Sequence, residues 1–129
     1  MKKINTILLI DDDHITQYIS KRLITRLNLC DHVKTAVNGV EAIRYLNSIY
    51  LEEFPALILL DINMPVMDGF EFLVNLSALY PIKIKEIKIY LLTSSTSTKD
   101  LKRMEEFSCI SGYINKPLTE EKLLAYIQP

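Results

Sequence analysis

Short apolar runs alternate with amphipathic stretches from one end of the chain to the other. Ile7–Ile10 reads as a buried strand, after which Ile15, Tyr18, Ile19, Leu23 and Leu27 recur at helical spacing. Val33–Ala36 is a weaker strand, followed by Asn38-Gly39-Val40-Glu41 as a capping-box-like helix start and Ala42, Ile43, Leu46 and Ile49 as its apolar stripe. Ala56–Leu60 is the strongest strand. Behind it, Asp68 with Glu71 opens a third helix carrying Phe72, Leu73, Leu76 and Leu79, which Pro81 helps to end. Ile87–Leu92 is a fourth strand, and Ser97 or Thr98 caps a helix bearing Leu101, Met104 and Phe107. Tyr113-Ile114 is a short fifth strand. Thr119 then caps a last helix, with Leu118 and Leu123 at the spacing of a hydrophobic staple.

Five strands alternating with five helices across short loops predict an α/β fold, a doubly wound parallel sheet with helices on both faces. Right-handed crossovers leave few topologies open. The 129 residues suit one domain, and residues 1–129 contain no repeat, low-complexity tract or linker. The last helix runs to the end of the sequence, so the expectation is a single domain with no output domain.

Composition narrows the function classes. A formal net charge of −1 gives no reason to expect nucleic acid or an anionic membrane as the main partner. The run Ile7–Ile10 is cut by Asp11-Asp12-Asp13 and is too short for a signal peptide, and no apolar run could span a bilayer. Cys30 and Cys109 lack metal-type spacing and read as free thiols, which fits a cytoplasmic protein.

The informative polar residues all fall just after strands. Asp11, Asp12 and Asp13 follow the first strand, Asp61 the third, Thr93 and Ser94 the fourth, and Lys116 the fifth. In an open α/β sheet the carboxyl ends of the strands form one rim, where ligands bind. Carboxylates gathered there repel by about 4 kcal/mol per pair at 4 Å and an effective dielectric near 20, unless some are protonated or a cation holds them. Carboxylates without His or Cys suit Mg²⁺, Ca²⁺ or Mn²⁺ rather than zinc, and a facing lysine and hydroxyl would complete a phosphoryl site.

Four segments carry a family resemblance: Ile10-Asp11-Asp12; Leu59-Leu60-Asp61-Ile62-Asn63-Met64-Pro65 with Met67-Asp68-Gly69; Leu92-Thr93-Ser94; and Tyr113-Ile114-Asn115-Lys116-Pro117-Leu118. In this order and spacing the chain resembles the receiver domains of two-component response regulators over essentially its whole length. The resemblance implies a flavodoxin-like sheet of order 2-1-3-4-5. It further implies Asp61 as phosphoacceptor, and Mg²⁺ (or Mn²⁺) held by Asp12, Asp61, the carbonyl of Asn63 and, largely through water, Asp11. Lys116, Thr93 and Ser94 would line the phosphoryl group. Thr93 and Tyr113 would form the switch, and Lys116-Pro117 would be a cis bond. The implied partners are a sensor histidine kinase or histidine phosphotransfer protein upstream, and a protein target or second copy downstream, with no direct contact to nucleic acid or membrane.

Some residues carry plainer expectations. Asp13 reads as a helix N-cap and Asp68-Gly69 as the start of the third helix. His14, His32 and the lysines at 83, 85 and 88 read as solvated. Cys109 stands where the family often has Gly, and Ser94 where it usually has Ala. Asn63 and Ser95 occupy positions that tune the lifetime of the phosphorylated state in the family. Two other readings compete. Asp11-Asp12-Asp13 contains the Asp-x-Asp of a haloacid-dehalogenase-type phosphatase, with Asp11 as nucleophile, and a pseudo-receiver would bind partners without phosphorylation.

Overall fold

The computed structural model describes residues 4–94 and 98–127. Five parallel strands, β1 (Ile4–Ile10), β2 (Cys30–Ala36), β3 (Leu57–Asp61), β4 (Lys88–Thr93) and β5 (Gly112–Asn115), form one sheet in the order β2-β1-β3-β4-β5. Five helices alternate with them: α1 (His14–Arg26), α2 (Gly39–Asn47), α3 (Gly69–Leu79), α4 (Thr98–Glu105) and α5 (Glu120–Tyr126). Single 3₁₀ turns at Leu51–Glu53 and Lys83–Glu86 precede β3 and β4.

Side chains alternate across a strand, so each central strand feeds two cores. Leu8, Ile10, Ile58, Leu60, Ile89 and Leu91 pack under Ala42 and Leu46 of α2, Phe72, Leu73 and Leu76 of α3, and Met104 of α4. Ile7, Leu9, Leu57, Leu59, Tyr90, Leu92 and Ile114 face Ile24 of α1 and Leu123 of α5. β3 is buried along its whole length, which explains why it reads as a continuous apolar run. The helix starts follow the expected chemistry. Asp13, Asn38, Asp68 and Thr119 each accept a backbone N–H of the first turn, and Asp68 forms a reciprocal capping box with Glu71. Leu118 and Leu123 are both buried in the α1/α5 core, as a staple requires. The residue Ser97 and its expected cap lie outside the described residues, as does Ser95.

Three expectations need correction. The stripe Ile15, Tyr18, Ile19 does not face the sheet: these side chains are 72%, 62% and 51% exposed. Leu23 and Leu27 of the expected stripe do pack on the core, part-buried, beside the buried Ser20 and Ile24, so the inward face of α1 is rotated away from Ile15, Tyr18 and Ile19. Leu79, at the last turn of α3, is exposed, and at that end of the helix Leu76 and part-buried Tyr80 pack on the core. Ala56 falls just outside β3, donating its N–H to Thr6 and the Asn5 side chain. Neither Cys30 nor Cys109 forms a disulfide. The Cys109 backbone is not left-handed, so its departure from the family's Gly has no conformational cost. No helix among the described residues is long and apolar enough to cross a membrane.

One loop residue is conformationally costly. Val66, in the β3–α3 loop, holds φ at 69° although its side chain is β-branched and 80% exposed. Left-handed backbone costs such a residue about 1–2 kcal/mol, with no packing here to offset it. Val66→Asn is expected to raise the urea midpoint by the equivalent of about 1 kcal/mol at unchanged m-value. An unchanged or lower midpoint would show that the loop carries no such strain.

Candidate functional site

The sheet order brings β1 and β3 side by side, with Ile10 paired to Leu60, so the residues that end them meet at the carboxyl rim. β4 and β5 continue the rim, with Thr93 opposite Asn115. Asp11, Asp12 and Asp61 each offer a carboxylate oxygen within 4.8 Å of the others. Asp11 and Asp61 are buried and Asp12 is exposed. From the far side, the Lys116 ammonium reaches 3.2 Å from Asp11 Oδ2 and 3.4 Å from Asp61 Oδ1. The Lys116–Pro117 bond is cis.

Local bonds fix these groups. The Asp13 N–H donates to Asp11 Oδ1 at 2.9 Å, and the Asn63 N–H donates to Asp61 Oδ1 at 3.3 Å. The Lys116 N–H donates to the Thr93 carbonyl at 2.9 Å, tying the fifth-strand loop to the end of β4. Gly69 keeps the β3–α3 loop close. A Cβ there would lie 2.7 Å from the Asp61 carbonyl oxygen, and the Gly69 N–H donates to Ile62.

Burial pushes the Asp61 carboxyl from the ordinary 3.8 up to about 6; the Lys116 charge opposes that rise and Asp11 adds to it. Asp61 is therefore an anion at neutral pH, held at a desolvation cost. Burial also works to lower the Lys116 ammonium, but the Asp61 and Asp11 carboxylates outweigh it and hold the ammonium above the usual lysine value. Asp11 Oδ2 is buried without a hydrogen bond among the described residues, with the Lys116 ammonium 3.2 Å away as its counter-charge. A donor set of three carboxylates, with one buried oxygen lacking a hydrogen-bond donor, matches a hard divalent cation.

The match with a family model decides the assignment: the model for the response regulator receiver domain fits residues 7–128. The chain belongs to this family. A two-component response regulator from Cytophaga hutchinsonii superposes on this receiver domain with a TM-score of 0.87 at 30% identity, covering 96% of this chain and 94% of the other. The chemotaxis protein CheY4 of Vibrio cholerae gives 0.81 at 26% identity, covering 97% of each chain. A probable transcriptional regulator, ycf29 of Porphyra purpurea, is 34% identical over 75% of this chain, which spans only 43% of that relative.

The sequence-derived candidates sort clearly within the receiver domain. Asp11, Asp12, Asp61 and Lys116 converge, and buried Thr93 is joined to Lys116 through the backbone. Asn63 and Ser94 sit exposed on the rim loops. Tyr113 lies outside the acidic pocket. It is 46% exposed and borders a groove lined by Leu101, Met104, Phe107 and Ile110. Asp13 is occupied as a cap, accepting from the Ile15 N–H and the Thr16 hydroxyl, and these bonds hold its carboxyl below the usual range. One contributor was not legible: Lys122, whose ammonium turns back onto the loop that carries Lys116. In the sequence it is one more charged residue of a solvated helix.

Proposed function

We propose that the receiver domain accepts a phosphoryl group on Asp61 from a phosphohistidine of a sensor kinase or phosphotransfer protein, and signals to a protein partner in the cytoplasm. The observation that carries this reading is the Asp61 carboxylate, set between the Asp11 carboxylate and the Lys116 ammonium on a rim open to solvent through Asp12. Asp61 attacks phosphorus as the P–N bond of the donor breaks, and the imidazole leaves with the bonding pair and takes a proton from solvent. Asp11, Asp12, Asp61 and the Asn63 carbonyl are the groups that would hold Mg²⁺, with Mn²⁺ as a substitute. When bound, the metal supplies positive charge to the phosphoryl oxygens.

The product adds roughly −1.5 to −2 charges. Lys116 pairs with one phosphoryl oxygen, and the Thr93 hydroxyl, with Ser94 beside it, donates to another. Movement of Thr93 toward the phosphoryl group opens space for Tyr113 to turn inward, which alters the face formed by α4, β5 and α5. A shift from 1:99 to 99:1 needs about 5.5 kcal/mol of differential interaction, on the scale of a charged pair, a hydroxyl bond and the metal together. The readout is a changed affinity for a protein target or a second copy, and turnover is limited to the domain's own phosphorylation and dephosphorylation.

Incubation with an acyl phosphate and Mg²⁺ tests the acceptor. Acid-labile label is expected on the wild type and none on Asp61→Asn; label that persists in this variant would overturn the assignment. Amide exchange with and without beryllofluoride tests the output. Changes across residues 98–127 are expected, and changes confined to the Asp61 pocket would contradict the switch.

A further inference from the structure

The segment that presents Lys116 is a short bridge. It leaves β5 at Asn115, passes through the cis bond to Pro117, and enters the cap of α5 at Thr119. On one side the Lys116 N–H is bonded to the Thr93 carbonyl. On the other, the Lys122 ammonium donates to the Asn115 carbonyl at 2.7 Å and to the Pro117 carbonyl at 3.0 Å. These are the two carbonyls that flank Lys116 in the chain, and both residues are otherwise exposed. Lys122 is itself anchored: its N–H donates to Thr119 Oγ1 at 3.2 Å, and the next residue, Leu123, is fully buried.

The position is unfavourable for a lysine on local grounds. Lys122 lies in the first turn of α5, where the helix dipole disfavours positive charge and where Glu120 and Glu121 are the favourable residues. Helix stability therefore does not account for a cation there. The two charge-assisted bonds to the Asn115 and Pro117 carbonyls do.

We propose that Lys122 is a positioning residue that clamps the 115–117 backbone and so fixes the Lys116 ammonium in its place facing Asp61. This inference rests on the proposed phosphoacceptor role of Asp61. Lys122 touches none of the carboxylates, which come from the ends of β1 and β3. It therefore acts on the phosphoryl-binding half of the site and leaves the metal-binding half alone. Small displacements of a binding group are costly when geometry is fixed, so losing the clamp weakens capture of a phosphoryl mimic by roughly 10-fold.

The test uses the full chain and its variants Lys122→Met, which keeps the aliphatic stem, and Lys122→Arg, whose guanidinium retains donors for both carbonyls. Mg²⁺ affinity is read by amide shifts near Asp61, and beryllofluoride affinity by titration at saturating Mg²⁺. Lys122→Met is expected to keep wild-type Mg²⁺ affinity, to bind beryllofluoride roughly 10-fold more weakly, and to be rescued by Lys122→Arg. Equal binding by Lys122→Met and wild type would overturn the clamp, and so would parallel loss of both affinities, which indicates general loosening. A wild type that binds no beryllofluoride would instead overturn the proposed function. In that case the metal-free protein decides the clamp: faster exchange of the Lys116 amide and a broadened Lys116 ammonium signal in Lys122→Met support it, and unchanged signals refute it.

Discussion

Asp61→Asn is expected to stabilise the metal-free protein by about 3 kcal/mol at pH 7, even as it removes the group on which the proposed chemistry depends. The Asp61 carboxyl stands at about 6 in the folded chain against 3.8 for an unperturbed one, because burial and Asp11 together outweigh Lys116. Below pH 4 the group is protonated in both states and costs nothing. Between pH 4 and 6 the folded state binds more protons than the unfolded state, so stability falls as pH rises. Above pH 6 the full penalty stands. The asparagine variant escapes it, and its amide oxygen can still accept the Asn63 N–H. A rise in Tm of roughly 10 °C in EDTA at pH 7, shrinking toward zero near pH 4, is the expected signature. Saturating Mg²⁺ should narrow the gap by stabilising the wild type more than the variant. Equal Tm values at pH 7 in EDTA would mean that Asp61 is not held at a desolvation cost.

Lys116→Ala should separate phosphorylation from response. The ammonium touches both buried carboxylates, so its loss leaves Asp11 and Asp61 without their shared counter-charge and moves the Asp61 carboxyl still higher. Labelling by an acyl phosphate should survive at a reduced rate, because the attacking oxygen and the carboxylate cluster remain. Removing one charged hydrogen-bond partner is worth about 1.5–3 kcal/mol, so beryllofluoride should bind roughly 10- to 100-fold more weakly. Shifts in α4 and β5 should be largely absent in the labelled variant. Wild-type shifts around α4 in phosphorylated Lys116→Ala would contradict the role given to Lys116.

The sheet was legible in the sequence because each central strand is a dense apolar run with no competing helical period, as in Ile7–Ile10 and Ala56–Leu60. The site was legible because its residues sit immediately after those strands, and the carboxyl ends of parallel strands share one rim. Other features were hidden for physical reasons. Periodicity could not decide which face of α1 meets the sheet: Ile15 and Ile19 fit a helix face as well as Ser20 and Ile24, and only packing against β1 and β2 separates them. Val66 gave no sign of left-handed backbone, since a β-branched side chain argues against it. Lys122 acts through backbone carbonyls, which leave no trace in residue type. Its role depends on how the segment between β5 and α5 turns, which the pattern of apolar positions does not specify.

Phosphorylation at one particular carboxylate is the central claim, and chemical trapping reads it directly. The wild-type chain would be incubated with an acyl phosphate and Mg²⁺, reduced with borohydride to convert any aspartyl phosphate to homoserine, and digested for peptide mass analysis. Homoserine at position 61, absent when EDTA replaces Mg²⁺, is the predicted result. Homoserine at Asp11 or Asp12, or label without homoserine at position 61, would contradict it.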